Sequence, residues 1–583
     1  MQKKKNNNSG KASQMISQKR AMEKYGVNKK IIDRYFPKPV VRYYGNYKYV
    51  RLWDSADIER IIDEPEVRKL IEESQSSRQR GRDFERAREL LLGYTPENLI
   101  EKGKSLKRVF VLHVGPTNSG KTYEAVKALK TAGNGTYLGP LRLLALEMFD
   151  RMNGEGIPCS LLTGEESITR EDAEIVASTV ELCNFSRHFK VAVIDEAQLI
   201  TDNDRGSSWL KAICCVDAEE VHICLAPEAR TYIESLVSQF GDPYSVVEHK
   251  RLVPLVYSGK CNGFDEIRSG DAIICFSRKS VLSTAAHLER NGFKASVIYG
   301  ALPPIARRNE VARYLSGETN VIVATDAIGM GISLPIRRIV FAETQKFDGK
   351  EQRYLNGSEV RQIAGRAGRF GMFDLGEVLS MNSDSVVSDG LTNRTMNVRT
   401  PCIEFPREAL DTDYSLEILL KAWQSLPKNI NFKREDMSSA LSLYSMLRDD
   451  ARTGDRDLIF DLVTCPIDSD NRDLALYWLR CSRNILKNRR IPDPDFSTDT
   501  LLGCELQYKA WDINHQLKMR IGIQDDNFEK REEICRKIRE FMEENKEEYI
   551  RKCENCGCEL PIGYTFRLCE KCYHSSAPTW KFR

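Results

Sequence analysis

Eight residues, GPTNSGKT at 115–122, have the types and spacing that hold a polyphosphate. They follow an apolar run ending at Val114 and lead into YEAVKAL, the strand-before, helix-after setting that a phosphate-binding loop requires. Gly115 and Gly120 let the backbone turn, so that N–H groups along Thr117, Asn118 and Ser119 can cradle phosphate oxygens. Lys121 brings positive charge to the β- and γ-phosphates, and the Thr122 hydroxyl is a Mg²⁺ ligand. The chemistry expected here is binding of ATP with Mg²⁺.

Two further motifs would turn binding into hydrolysis. VAVIDEAQ, at 191–198, ends an apolar run in Asp195, which places a carboxylate beside the loop to hold Mg²⁺ through water. Glu196 is then the base that orients and deprotonates the attacking water, and Gln198 joins the nucleotide-side set. QIAGRAGR, at 362–369, sets Arg366 and Arg369 three residues apart, on one face of a helix. Guanidinium groups aimed at a γ-phosphate from a second lobe act as arginine fingers. Gln362 joins them in the catalytic set and Gly329 joins the nucleotide set. Alone, an Asp-Glu pair reads as a solvated turn and two arginines as surface charge. Together with the loop they describe one site that is complete only when two lobes close.

Such a site needs buried strands whose ends face one another. VFVLHV, VAVID, AIICF, VIVATD and IRRIVF are short β-branched runs separated by helical stretches from about 106 to 375. That alternation predicts parallel strands covered on both faces, in two doubly wound lobes. After about 395 the strand pattern fades. LEILLKAW and DLALYWLRCSRNIL predict helices, and Ile534, Cys535, Ile538, Phe541 and Met542 form one apolar stripe of a late helix, read as a packing face. The expected fold is α/β: two tandem RecA-like domains, a helical C-terminal region and a small zinc knuckle. The expected division is a basic tail and charged helical lead-in (1–105), lobe 1 (106–250), lobe 2 (251–395), a helical accessory region (396–550) and the knuckle (551–583).

The knuckle is read from CENCGCELPIGYTFRLCEKC, which pairs Cys553-x₂-Cys556 with Cys569-x₂-Cys572. Four thiolates at this spacing suit tetrahedral Zn²⁺ and leave no position for a catalytic water. Cys558 and His574 are spare ligands, and Gly557 permits the turn after the first pair. Tyr564, Phe566, Arg567, Lys571 and Tyr573 lie in or beside the module, where they either stack bases and meet phosphates or cover the metal. Most of the other cysteines, Cys224 and Cys275 among them, sit alone in apolar runs and read as buried thiols of a reducing compartment.

Net charge is +3, so any nucleic-acid groove must come from local placement of Lys and Arg. No apolar stretch is long enough to span a bilayer, and no membrane partner is expected. The first thirty residues carry eight Lys and one Arg against Glu23 and read as a disordered basic tail. Their Lys- and Asn-rich composition favours a cytoplasmic protein over an Arg- and Ser-rich transit peptide, with the mitochondrial matrix as the alternative.

The motifs GPTNSGKT, RLVPL, CFSRKS, YGALPP, VATDAIGMGISLPIRRIVF, KFDG and QIAGRAGRFG resemble, in order, those of superfamily 2 helicases. More closely, they resemble the helicases of the mitochondrial RNA degradosome (the suppressor-of-var family) and their bacterial relatives. The resemblance is strong from 115 to 371 and weaker to about 500. It implies ATP-driven 3′ to 5′ translocation along single-stranded RNA, unwinding of RNA duplexes, and an exoribonuclease as a possible partner. It also implies phosphate contacts from Arg142 and Thr179 on the first lobe and from Ser277 and Thr325 on the second. For Thr179 and Ser277, a helix cap is the competing reading. Ala197 stands where the family tends to have Ile, and LAPEA at 225–229 replaces the Ser-Ala-Thr of many superfamily members, with Glu228 near the family's Glu. A DNA helicase or translocase and a non-hydrolysing nucleotide-gated RNA clamp are the alternatives to the RNA helicase reading.

Overall fold

The structure is a computed structural model describing residues 15–44, 48–164, 166–329, 334–348, 351–381, 384–392, 398, 400–451, 455–523, 527–544, 549–560 and 566–576. The chain forms two compact units: Met1–Gly93 with Pro406–Leu426, and Tyr94–Phe405 with Pro427–Arg583.

The larger unit holds two mainly parallel sheets. In the first, Val109–Val114 lies between Tyr244–Glu248 and Ala218–Leu225; Phe189–Ile194, Gly135–Gly139, Ile175–Thr179, Cys159–Leu162 and Ser167–Ile168 follow outward. Every pairing is parallel except the last, Leu161 with Ile168. The second sheet runs Leu255–Lys260, Gly376–Ser380, Arg338–Phe341, Asp271–Ile274, Val321–Ala324, Ala295–Ile298, all parallel. These are two tandem RecA-like domains, and the five short apolar runs of the sequence are all central strands. Their side chains are buried on both faces: Phe110, Leu112, Val193, Ile273, Val323 and Phe341 are wholly inaccessible. Each such side chain contributes on the order of 1.5–3 kcal/mol. Because the strands are parallel, their carboxyl ends share one edge, and the loops there are where ligands bind in open α/β sheets.

The helices Arg472–Leu486, Leu501–Arg520 and Phe528–Glu544 make the C-terminal region. Ile534, Cys535, Ile538 and Met542 share one core with Val281, Leu288 and Tyr299 of the second lobe, so the late apolar stripe is a packing face. Among the described residues no helix is long and apolar enough to cross a membrane. Cys224 and Cys275 are buried free thiols.

The smaller unit corrects two expectations. Composition predicts a disordered basic tail through residue 30, yet from Met15 the chain is folded: a strand at Met15–Ser17, then helices at Gln18–Tyr25 and Lys29–Tyr35. Residues 1–14 lie outside the described set. The charged lead-in is also not wholly helical, since Lys48–Asp54 pairs antiparallel with both Met15–Ser17 and Val40–Tyr44. Ile16, Ala21, Ile31, Ile32, Trp53 and Ile58 form a core of their own, and the Trp53 indole N–H donates to the Pro37 carbonyl at 2.8 Å. Six apolar side chains spread over forty-odd residues of charged sequence leave no periodic signal, although together they suffice to order it. The long helix Pro65–Leu92 and the helix Leu416–Gln424 pack together within this unit.

Candidate active site

The loop between Val114 and the helix Lys121–Ala132 has the curvature its glycines predict. Gly120 has φ 83°, and a Cβ on Gly115 would lie 2.7 Å from both the His249 carbonyl and the Ser119 hydroxyl. Asn118 also takes a left-handed φ of 62°. Lys121 is buried with its Nζ 3.5 Å from the Pro116 carbonyl, curled over the loop. The Thr122 hydroxyl lies 3.1 Å from the Asp195 carboxylate. These are hard oxygen donors in the arrangement Mg²⁺ requires.

Asp195 and Glu196 follow the strand Phe189–Ile194. The Tyr137 hydroxyl donates to the Asp195 carboxylate at 3.0 Å, and the Trp209 indole donates to its main-chain carbonyl at 2.9 Å. Burial, with the charge of Glu196 next in weight, pushes the Asp195 carboxyl up to about 6. Glu196 has φ 52°, ψ 45°, a left-handed conformation rarely used by a non-glycine residue and typical of functional sites. Burial opposes its ionisation, but Lys121 and Arg366 outweigh that and hold it below the ordinary carboxylate range. Gln198 donates to the Glu196 carboxylate and accepts from the Ala226 N–H at 3.0 Å, which fixes the carboxylate's direction.

The second lobe supplies the other wall. A cavity of about 270 Å³ is lined by Lys121, Thr122, Asp195, Glu196, Arg366 and Arg369. Arg366 and Arg369 lie beyond the helix Gly357–Ala364 rather than on one face of it, because the helix ends before Gly365; Arg366 donates to the Gly329 carbonyl through Nε at 3.1 Å and through its terminal nitrogen at 2.6 Å. The Gln362 side chain lies against Gly329, outside this lining, so it is not brought to the cavity with the arginines.

Four residues of this site carry roles that their sequence context does not announce. Tyr137 looks like an ordinary core strand residue. Glu147 lines the cavity, and burial pushes its carboxyl up against the pull of Arg369 and Arg366. Arg251, in RLVPL, donates to the Thr117 carbonyl at 3.0 Å, to Gly365 at 2.9 Å, to Val253 at 2.7 Å and also to Ala367. One guanidinium thus ties the phosphate loop to the arginine segment. A Cβ on Gly365 would meet Thr117 Cβ at 2.8 Å, so the lobes touch where that glycine sits. Of the four, Arg251 and Gly365 had a usable signal, their places in recognisable motifs.

Behind the loop, His113 places one ring nitrogen 3.0 Å from His249 and the other 2.8 Å from His222. Burial first, then these two neighbours, holds His113 down at about 4.

The four residues assigned to phosphate contacts sit at carboxyl ends of strands or just beyond. Thr179 ends its strand and Thr325 follows Ala324; both are buried. Arg142 opens the helix Arg142–Gly154 and pairs with Asp512 at 3.3 Å. Ser277 is the N-cap of the helix Arg278–Arg290, its hydroxyl accepting from the Ser280 N–H at 3.0 Å, so the capping role is realised there.

At the C-terminus the sulfurs of Cys553, Cys556, Cys569 and Cys572 all lie within 4.8 Å of one another. The Cys569 N–H donates to the Cys553 sulfur at 3.3 Å, the main reason that thiol is held down at about 6. Gly557 has φ 70° at the turn. Among the described residues the knuckle core is Cys553, Leu560 and Cys572 with Leu568 and Cys569 against it, a small apolar cluster of the kind that a metal commonly reinforces. The donor set fits Zn²⁺. Cys558 is exposed and outside the four. Tyr564 and the His574 side chain lie outside what the structure describes.

Residues 96–249 match the profile described as the DEXQ-box helicase domain of Suv3. The core of the chain is thus similar to a helicase of the Suv3 type. Its second half, residues 258–371, matches the helicase conserved C-terminal domain. The chain is 40% identical over 283 residues to the Saccharomyces cerevisiae protein named ATP-dependent RNA helicase SUV3, mitochondrial, covering 47% of this chain and 38% of that one. It is 40% identical over 304 residues to the human ATP-dependent RNA helicase SUPV3L1, mitochondrial, covering 50% and 39%. The Arabidopsis thaliana DExH-box ATP-dependent RNA helicase DExH16, mitochondrial, is 39% identical over 330 residues, covering 55% and 57%. The chain therefore spans roughly two fifths to three fifths of the length of these relatives.

Proposed function

We propose that this chain is an ATP-dependent RNA helicase that moves 3′ to 5′ along single-stranded RNA and unwinds duplexes. One observation carries the reading: Lys121, Thr122, Asp195 and Glu196 of one lobe share a single cavity with Arg366 and Arg369 of the other. The loop amides and Lys121 hold the phosphates, and Glu196 takes the proton of the attacking water. Arg366 and Arg369 meet the charge that develops on the γ-phosphoryl group. Thr122 and Asp195 would hold Mg²⁺, which when bound neutralises the phosphate oxygens. Arg142 and Thr179 on lobe 1, and Ser277 and Thr325 on lobe 2, grip successive phosphates. Opening and closing of the cleft then moves the two grips relative to each other. Backbone contacts of this kind tolerate any sequence.

The four cysteines of the knuckle hold a structural Zn²⁺. The division into lobes at 106–250 and 251–395, a helical region at 396–550 and the knuckle belongs to the same reading, as does an exoribonuclease partner for the unwound strand. The relatives' names favour the mitochondrial matrix over the cytoplasm, which imaging of the tagged protein in its host would decide.

The test is ATP turnover with saturating single-stranded RNA or DNA, together with strand displacement on duplexes tailed at either end. Stimulation by RNA and displacement from a 3′ tail are expected. Preferential stimulation by DNA would make the protein a DNA translocase. Nucleotide-dependent RNA retention without turnover would make it a clamp. Metal analysis should return one zinc per chain, and none would remove the knuckle assignment.

A further inference from the structure

Outside the ATP site, a cluster of cations lies where the knuckle meets the second lobe. Arg290 donates to the Glu559 carboxylate at 2.6 Å, and the His287 ring lies 3.6 Å from the same group. That pairing fixes the knuckle beside the helix Arg278–Arg290. A cavity of about 430 Å³ is left between them, lined by Ser277, Lys279 and Ser280 from the lobe and by Arg551, Lys552, Glu554, Leu560 and Arg567 from the knuckle. Four cations face one carboxylate. That carboxylate, Glu554, is already engaged by Arg567 at 3.9 Å. Lys279 and Lys552 are exposed, and Lys552 adds its charge to the group that holds Glu559 ionised. Phe566 and Tyr573, on the same small module, are large aromatic side chains left 64% and 60% exposed, which a role in covering the metal does not explain.

Like charges gathered around a void destabilise one another unless an anion shares the space. The volume falls within the roughly 300–1,000 Å³ of ligand pockets. Single nucleic-acid strands are taken by cationic grooves that hold phosphates, combined with aromatic side chains on which bases stack, and the knuckle carries both kinds of residue. Ser277, which the functional reading places against the strand on lobe 2, lines this same cavity, so the channel continues the path of that strand.

We infer that the knuckle and lobe 2 together form a second single-stranded RNA site, with Lys279, Arg551, Lys552 and Arg567 on the phosphates and Phe566 and Tyr573 stacking bases. The inference rests on the RNA helicase reading and extends its track beyond the two lobes. Zinc acts here through shape, holding the cations on one side of the channel.

The test uses the full chain and a fluorescent single-stranded RNA of mixed sequence, titrated at several salt concentrations. The triple variant Lys279→Gln, Lys552→Gln, Arg567→Gln should bind more weakly. Its slope of log affinity against log salt should be shallower by about 0.7 for each phosphate left unneutralised, thus by about 2. Phe566→Ala should weaken binding about fivefold or more with the slope unchanged, since stacking carries no counterion release. Zinc content and the thermal transition are measured on every variant, so that unfolding of the knuckle is told apart from removal of a charge. If a variant loses zinc, its single-residue components are measured instead. Lys190→Gln, an exposed site on lobe 1, serves as the charge control and should leave the slope unchanged. A triple variant that keeps wild-type affinity and slope overturns the second site and leaves the helicase reading standing. A wild-type protein that binds no RNA overturns both.

Discussion

The two walls of the ATP cavity are built in opposite ways. On the lobe 1 side, Asp195 and Glu196 are held from behind by side chains of a packed core: Tyr137, Trp209 and Gln198. On the lobe 2 side, Arg366 leans on the carbonyl of Gly329, and the segment around it is tied across the cleft by Arg251 and by the Asn118 amide on the Gly368 carbonyl at 2.7 Å. The first wall keeps its geometry whether the cleft is open or shut. The second depends on polar bonds to backbone that water replaces at little cost when the lobes part. A motor needs both: a fixed acid–base pair and a stabilising charge that arrives only on closure.

Substitutions separate the two halves. Arg366→Ala should lower RNA-stimulated turnover by about 10³–10⁵-fold while binding of a non-hydrolysable ATP analogue changes little, because a finger acts mainly in the transition state. Equal losses in affinity and rate would instead make Arg366 part of the fixed wall. Glu196→Gln should lower single-turnover hydrolysis by about 10²–10⁴-fold, again with the analogue still bound. Near wild-type hydrolysis in that variant would remove Glu196 as the base.

Two smaller effects test the packing of each side. His113 is held at about 4 against an ordinary 6.5. Its folded form therefore resists protonation, and the stability it contributes is intact above pH 6.5 and lost as pH falls toward 4. The difference is on the order of 3 kcal/mol. His113→Asn should flatten that part of the pH–stability curve in denaturant titrations, and an unchanged curve would show that the histidine chain is not the acid-sensitive element of lobe 1. Gly365→Ala pushes a methyl into Thr117 across the cleft, at a cost of about 1–3 kcal/mol in the closed form. The KM for ATP should rise several-fold with the melting temperature of lobe 1 nearly unchanged. A large fall in melting temperature would mean that the close approach of Gly365 to Thr117 is structural.

Much of the core was legible because its signals are local. A short strand rich in β-branched residues, a glycine loop before a helix and an Asp-Glu pair after a strand each announce themselves within about ten residues, and the lobes assemble from them. The roles of Tyr137 and Arg251 were not legible, even with Arg251 in a recognisable motif, because what they do depends on partners 58 residues and up to 134 residues away. The same reason hid the strands of the smaller unit. Lys48–Asp54 pairs with Met15–Ser17, and neither segment alternates strongly enough to reveal the other. Ser277 shows the converse limit: its type and place fit a phosphate contact and a helix cap equally, and the cap is the bond the structure realises.

The smaller unit joins Met1–Gly93 to Pro406–Leu426, with both lobes encoded between its two pieces. On a ribosome adding about 5–20 residues per second, the roughly 300 intervening residues take on the order of 15–60 s to emerge. For that time the helix Pro65–Leu92 lacks the helix Leu416–Gln424, whose Leu419, Leu420 and Trp423 are buried in the finished unit. The small core of Ile16 to Ile71 needs nothing from the later piece, but the long helix waits for its cover. The first segment made is completed only after the two lobes have been synthesised behind it, and a message cut short before codon 416 yields a chain whose long leading helix stays uncovered.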